Sequence, residues 1–311
     1  MTITAADLRS SFRRDGIAKT FTIAFGPRSG STILAHILWS AGAGKPTEYF
    51  QYPFGENKHF REHPPEKWFD VFQSLVRGQS ANEIFASKMS HLHRAHLDGW
   101  LRDRIAGYDG LRGIFPSHRW IFVRRRDVIR QAISWAIAEE SGLWHLKKDQ
   151  QGRADLAVPY DFFLLFEKLR AALSANFGWE LYFSSTQTAP LTVYYEDFLA
   201  DKAASLQVIA AQIGFDADRL IRAMESAAGE MLKISDRYEE AYERMRERFV
   251  ADLLRLGEDD LFGPAEDRWK AFFTGRLWRA DSARAGRMRG DESAIQRPAE
   301  YACSAVSSEA R

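Results

Sequence analysis

The chain has 311 residues, of which 45% are hydrophobic, enough for a sizeable core in one α/β domain with an extension. Its formal net charge of +1 argues against nucleic acid or an acidic membrane as an electrostatic partner. The single cysteine, Cys303, excludes an internal disulfide framework and a multi-thiolate metal site. Because no signal peptide or bilayer-spanning apolar run is found either, we expect a soluble cytoplasmic protein.

The first elements form a strand, a loop and a helix. Residues 1–20 are polar and basic, which predicts an arm or a short helix. The run FTIAF at 21–25 is typical of a strand that stops at Gly26-Pro27. From Ser31 onward, apolar residues recur at spacings of three and four, which predicts a helix that ends near residues 42–44.

The later elements alternate between strands and helices. Residues 45–80 are predicted to be irregular, a length that is often functional. Further strands are predicted at 84–89, 119–124 and 191–195, and helices at 127–140, 160–178, 196–213 and 218–257. The alternation predicts an α/β fold, a P-loop-type parallel sheet flanked by helices, with a helical C-terminal extension. We expect one catalytic domain over 1–262 and a charged, partly disordered extension over 263–311.

The loop after the first strand carries the clearest chemical signal. In Gly26-Pro27-Arg28-Ser29-Gly30-Ser31-Thr32, glycines let the backbone approach an oxyanion, hydroxyls add donors, and Arg28 adds a planar cation. The helix N-terminus that follows favours negative charge. The plain alternative is an ordinary strand–turn–helix with an N-cap serine. A Walker A lysine is missing before the Ser-Thr pair, which disfavours a magnesium-dependent ATPase or GTPase.

A longer stretch carries a family resemblance. FGPRSGSTILAHILWSAGAGKPTEYFQY resembles the start of the bacterial trehalose 2-sulfotransferase family, which includes lipopolysaccharide sulfotransferases. The family's Gly-x-Pro-x-Glu-aromatic-Phe pattern is matched by residues 44–50. Weaker matches are Lys88-Met89 and the pattern Arg-x-Asp-x-x-x-Gln-Ala-x-Ser at 125–134. The resemblance spans residues 20–140, and fainter similarity continues through Asp236. The chain departs from the family at residues 90–93 and beyond about residue 260.

The resemblance implies a binding site for 3′-phosphoadenosine 5′-phosphosulfate (PAPS). The residues implied to hold its 5′-phosphosulfate are Arg28, Ser29, Gly30, Ser31 and Thr32, with Arg28 also acting in catalysis. Its 3′-phosphate is implied to lie against Ser134 and one arginine of the pair Arg125 and Arg126. The spacing from Arg126 to Ser134 resembles that of the wider sulfotransferase class, while Arg125 stays an alternative. No metal is implied.

The resemblance also implies an acceptor site with Glu48 as the general base. The aromatic residues Tyr49 and Phe50 are expected to form its apolar wall, and Lys88 and His93 to contact the substrate. The pair His91 and His93 offers rival bases, since both follow the second predicted strand.

Two later stretches have more than one interpretation. Tyr195-Glu196-Asp197 follows a strand, as a similar sequence near the nucleotide does in the wider sulfotransferase class, but its acids also suit a helix start. The residues Tyr238, Tyr242 and Met245 recur at helical spacing and are interpreted as a packing stripe rather than a ligand site.

Together these features predict a PAPS-dependent, metal-independent sulfotransferase with a carbohydrate or glycolipid acceptor. We expect no nucleic-acid partner and no stable membrane insertion, and the resemblance implies a homodimer. One alternative is a small-molecule kinase with an atypical P-loop, which the missing lysine disfavours. Another is a non-catalytic nucleotide-binding relative, which the retained Glu48 beside an intact loop disfavours.

Overall fold

A computed structural model describes residues 3–51, 67–142, 144, 146–147, 159–227, 231–232 and 239–255. The chain divides into two units, Met1–Phe249 and Val250–Arg311. The predicted extension over 263–311 lies outside the described residues, so the boundary at residue 262 stays a prediction. No helix in the described part of the chain is long and apolar enough to cross a membrane.

Helices and strands alternate through most of the first unit. The strands are β1 (Lys19–Phe25), β2 (Ser80–Ala81), β3 (Ile84–Ser90), β4 (Arg119–Arg124), β5 (Leu146–Lys147), β6 (Leu191–Tyr194) and β7 (Met231–Leu232). The helices are α1 (Ala5–Arg14), α2 (Ser31–Ser40), α3 (Trp68–Gly78), α4 (His91–Arg102), α5 (Leu111–Ile114), α6 (Val128–Ser141), α7 (Phe162–Ser185), α8 (Tyr195–Ala200), α9 (Lys202–Ile213), α10 (Ala217–Ala227) and α11 (Glu239–Arg255).

Five strands form the main sheet, in the order β2-β3-β1-β4-β6. The four longer strands run parallel, and only the short edge strand β2 is antiparallel to its neighbour. The strand β1 lies in the centre, where Ile23 pairs with Lys88 on one side and with Ile121 on the other. All residues of β1 except the first are buried, as expected for a central parallel strand covered on both faces. The strands β5 and β7 form a separate antiparallel pair.

Two hydrophobic clusters cover the two faces of the sheet. Phe21 and Ile23 of β1 belong to one cluster, which contains buried residues of α2, α9 and α10. Ala24, on the opposite face of β1, belongs to the other cluster, which contains buried residues of α1, α3, α4 and α7. Successive β1 side chains therefore serve different cores, as the two-residue period of a strand requires.

The structure confirms the predicted α/β class and the mainly parallel sheet, with corrections to three elements. The prediction of an irregular segment over 45–80 is wrong at its end, where α3 packs apolar residues at helical spacing into the core. The segment 196–213 forms two helices, α8 and α9, with a break at Asp201, which caps α9. The predicted helix over 218–257 is also interrupted, because the strand β7 lies between α10 and α11.

Candidate functional site

Most of the predicted site residues lie at one edge of the sheet. The loop Gly26–Gly30 follows β1, Lys88 is near the end of β3, Arg125 follows β4 and Tyr195 follows β6. Because the carboxyl ends of parallel strands share an edge, these groups come together although they are far apart in sequence. Ligands of open α/β sheets commonly bind at this edge.

The loop Gly26–Gly30 has a constrained backbone. Arg28 has a φ of 61°, an uncommon value for a residue other than glycine, and the Ser29 N–H donates to the Gly26 carbonyl over 3.2 Å. Gly30 has a φ of 92°, and a Cβ added there would lie 2.2 Å from Cδ2 of Tyr195. Gly30 is thus required both by the backbone and by the Tyr195 ring packed against it.

Two helices hold the beginning of this loop. The Trp179 indole N–H of α7 donates to the Phe25 carbonyl over 3.1 Å. The Gln131 side-chain amide of α6 donates to the Pro27 carbonyl over 2.7 Å. Gln131, the glutamine of the family pattern at 125–134, therefore positions the loop.

The segment that carries Glu48 is held against β3 by its backbone. The Lys88 N–H donates to the Thr47 carbonyl over 2.8 Å, and Thr47 forms a parallel bridge with Ser87. Gly44 has a φ of 77°, and a Cβ there would lie 2.7 Å from Cβ of Ala86. The glycine of the Gly-x-Pro-x-Glu pattern thus allows this segment to approach the strand.

Lys88 connects the first turn of α2, which follows the loop, to the predicted base. Its ammonium lies 3.0 Å from Oε1 of Glu48 and 3.1 Å from Oγ1 of Thr32, and 4.7 Å from the centre of the Phe25 ring. Only 8% of Lys88 is exposed. The sequence placed Lys88 in the substrate site through a weak match, but it did not indicate this central position.

Tyr49 and Phe50 are buried among core aromatics. The Tyr49 ring stacks on Phe85 with centroids 5.9 Å apart, and the Phe50 ring lies 5.9 Å from that of Phe72. They therefore anchor the segment that follows Glu48, and their predicted contact with an acceptor stays a prediction.

His93 lies half-buried in the first turn of α4, and its backbone N–H donates to Oγ of Ser90 over 3.3 Å. His91 begins the same helix and packs so closely on Gly178 of α7 that an added Cβ would lie 2.5 Å from the ring. Burial lowers the pKa of His91, and the nearby Arg94 lowers it further. His91 is therefore engaged in helix packing, and the histidines as rival bases stay a hypothesis.

Arg28 extends toward α6. Its Nε donates to Oγ of Ser134 over 3.1 Å, and its guanidinium also bonds the Trp144 carbonyl. Burial lowers the pKa of Arg28, and the positive charge of Arg125 acts in the same direction. The residues predicted for the two ends of the nucleotide, Arg28 and Ser134, are therefore in direct contact.

The two arginines after β4 point to different surroundings. Arg126 is exposed, forms an ion pair with Asp197 and lies over the Tyr194 ring at 4.0 Å. Arg125 lies over the Tyr195 ring at 4.4 Å, and burial lowers its pKa. The burial of Arg125 therefore favours it over Arg126 as the arginine that joins Ser134 in the predicted site for the 3′-phosphate.

Glu196 and Asp197 shape the turn after β4. The Glu196 carboxylate accepts from the backbone N–H of Arg126 over 3.1 Å and from that of Asp127 over 3.4 Å. Since Asp197 pairs with Arg126, both acids act on the turn that presents Arg125. This stretch both begins α8 and supports the site.

The donors around this edge suit an anionic nucleotide. Within the described residues, neither Arg28 nor Arg125 has a carboxylate at ion-pair distance, and Nε of Arg125 and Oγ of Ser29 are buried without a hydrogen-bond partner. Buried donors are normally paired, so these atoms fit a group such as the phosphates of PAPS. No cluster of three or more His, Cys, Asp or Glu side chains suited to a metal occurs in the described ranges. Metal independence stays a prediction.

Comparison with known protein families identifies the family of the chain. The model of the Stf0 sulphotransferase family matches residues 20–248, well beyond the region 20–140 over which the sequence resemblance was strongest. The matched range contains all the predicted site residues discussed above. No curated protein gives a significant match. The resemblance to this family is confirmed, and the chain belongs to the Stf0 sulphotransferase family.

Proposed function

We propose that the protein transfers the sulfuryl group of PAPS to a hydroxyl of a carbohydrate or glycolipid. Membership in a sulphotransferase family supports sulfuryl transfer in general. The finer proposal depends on two contacts of the Lys88 ammonium, which lies 3.1 Å from Oγ1 of Thr32 and 3.0 Å from Oε1 of Glu48. These contacts bring a carboxylate beside an anion-binding loop, which a transfer from a bound anion to a neutral hydroxyl requires.

Each of these groups has a distinct role in the proposed reaction. The bound donor supplies the sulfuryl group, whose S–O bond to phosphate breaks as the acceptor oxygen bonds to sulfur. Glu48 takes the acceptor proton, and the loop amides with Thr32 stabilise the charge that develops on the leaving phosphate. Lys88 lies between these two places, so its ammonium is positioned to bind the oxygens of the group in transfer.

Nucleotide binding is assigned to the other side of the loop. Arg125, Ser134 and Arg28 would hold the 3′-phosphate of the nucleotide, since their donors lie close together there. Arg28 was predicted to act in catalysis, and its contacts with Ser134 and Trp144 support a binding role as well. Homodimer formation, a cytoplasmic location and activity without a metal remain part of the proposal.

Ligand-induced stabilisation tests the nucleotide class. Adenosine 3′,5′-bisphosphate, the product nucleotide, should raise the melting temperature of the full chain in the presence of EDTA. ATP with magnesium should give a smaller shift, which separates the proposal from the kinase alternative. If ATP with magnesium stabilises the protein and the bisphosphate does not, the proposed nucleotide class is contradicted.

Turnover tests the enzyme. The protein is incubated with labelled PAPS and a panel of sugars, glycolipids and lipopolysaccharide, and products are identified by their mass shift. Glu48→Gln should retain bisphosphate binding and lose about a hundredfold or more in transfer rate, because it cannot accept the proton. Glu140→Gln, at an exposed glutamate of α6, is the matched control and should be unchanged. Full activity of Glu48→Gln would refute the assignment of the base.

A further inference from the structure

Tyr242 of α11 is held against α6 beside the candidate site. Only 1% of the residue is exposed. Arg130 of α6 forms an ion pair with Glu243 at 2.8 Å, and Arg246 lies 3.4 Å from the carboxylate of Asp127. Because these pairs flank Tyr242, its ring has a defined position rather than that of a loosely packed surface tyrosine.

The Tyr242 hydroxyl is buried near Ser134, Arg28 and Arg125, and it has no hydrogen-bond partner. It lies near the Ser134 hydroxyl, whose oxygen accepts from Nε of Arg28, but no hydrogen bond joins the two hydroxyls. Burial raises the pKa of Tyr242, while Ser134 and the positive charges of Arg28, Arg125 and Arg130 act in the opposite direction. The hydroxyl is therefore a protonated donor near neutral pH.

We propose that the Tyr242 hydroxyl donates a hydrogen bond to the 3′-phosphate of the nucleotide, together with Arg125 and Ser134. The inference rests on the proposed function and adds a residue that the sequence indicated only as packing. A buried hydroxyl without a partner is unfavourable, and so is a pair of neighbouring guanidiniums without an anion. A phosphate bound among them would satisfy the hydroxyl, Nε of Arg125 and the two positive charges at once.

The test compares two nucleotides that differ in the 3′-phosphate. Binding of adenosine 3′,5′-bisphosphate and of adenosine 5′-monophosphate is measured by calorimetry on the wild type and on Tyr242→Phe. We expect the variant to bind the bisphosphate about tenfold or more weakly, because a hydrogen bond to a charged group is lost. Binding of the monophosphate should change by less than about twofold, since it lacks the group that Tyr242 contacts.

Thermal unfolding without ligand distinguishes binding from structure. Removing an unsatisfied hydroxyl should leave the melting temperature of Tyr242→Phe unchanged or raised, whereas a purely structural role predicts a decrease. Tyr182→Phe, at a buried tyrosine packed among core aromatics, is the matched control and should bind both nucleotides normally.

Three outcomes would overturn the inference. If the wild type binds the bisphosphate and Tyr242→Phe binds it equally well, the role of Tyr242 is refuted while the proposed function stands. If the variant loses affinity for both nucleotides equally, the hydroxyl does not recognise the 3′-phosphate. If the wild type binds no bisphosphate, the proposed function fails together with the inference.

Discussion

Replacing Lys88 by methionine tests which cation acts on the group in transfer. Methionine keeps most of the length of the buried side chain and removes its charge. Lys88 contacts Glu48 and Thr32, whereas Arg28 contacts Ser134 and Trp144. We therefore expect Lys88→Met to affect turnover and Arg28→Met to affect nucleotide binding.

The expected loss of turnover in Lys88→Met is estimated from the charge that Lys88 contributes and from the typical cost of losing one donor. At the 3.0 Å that separates Lys88 from Glu48, two unit charges attract by about 5.5 kcal/mol at an effective dielectric constant of ~20, before their lost hydration is subtracted. The side chain of Glu48 is 29% exposed, so water reduces the net value further. Removal of one preorganised donor to developing charge typically lowers kcat about 100- to 1000-fold, which we expect here.

The assay is release of adenosine 3′,5′-bisphosphate from PAPS, with calorimetric binding of the same product as the second measurement. Lys88→Met should change the Kd of the product by less than about threefold, since the product lacks the sulfuryl group. Arg28→Met should raise this Kd by about tenfold or more, through the loss of a charged donor. Equal loss of product affinity in both variants, or normal turnover of Lys88→Met, would refute this division of roles.

Three further predictions concern the loop, the core and assembly. Gly30→Ala should abolish bisphosphate binding in calorimetry, because the added Cβ collides with the Tyr195 ring. The control Gly16→Ala is also at positive φ but has open space around it, so it should lose only about 1 kcal/mol of stability in urea unfolding and bind the bisphosphate normally. Burial lowers the pKa of His118 from 6.5 to about 3, so between these values the unfolded state binds more protons than the folded state and the free energy of unfolding falls as the pH falls. From pH 6.5 to pH 4 we expect urea unfolding to show a loss of about 3 kcal/mol. The variant His118→Gln should show a flatter dependence of stability on pH. Light scattering at micromolar concentration should give twice the chain mass, and a monomer mass would contradict the proposed homodimer.

The sequence predicted the parts of the fold that depend on local patterns. The alternation of strand and helix patterns identified the parallel sheet, and the run FTIAF of its central strand β1 stops at Gly26-Pro27. The helix α3 was missed, although Trp68, Phe72, Leu75 and Val76 recur at helical spacing, since the prolines and aromatics before them suggested a long loop. The break between α10 and α11 was missed because charged helical residues lie on both sides of it.

The sequence predicted those site residues whose role can be read from the neighbouring residues in the chain. The loop Gly26–Gly30 has a recognisable composition, and the family resemblance supplied Glu48. The contact of Lys88 with Thr32 and the choice of Arg125 over Arg126 depend on which strands are neighbours and on the ring of Tyr195. Such contacts between distant segments leave no periodic signal in one sequence. Tyr242 was missed for the same reason, since an apolar spacing does not reveal where a hydroxyl points.

The hydrogen bonds from Trp179 and Gln131 also affect what an incoming anion would encounter. Each occupies a carbonyl oxygen beside the loop, at Phe25 and at Pro27. A carbonyl oxygen repels a negatively charged ligand, and here a hydrogen bond from a neighbouring helix engages one lone pair of each oxygen. These two hydrogen bonds therefore reduce the negative potential that the carbonyls would present to an anion at the loop, in a chain whose formal net charge is only +1.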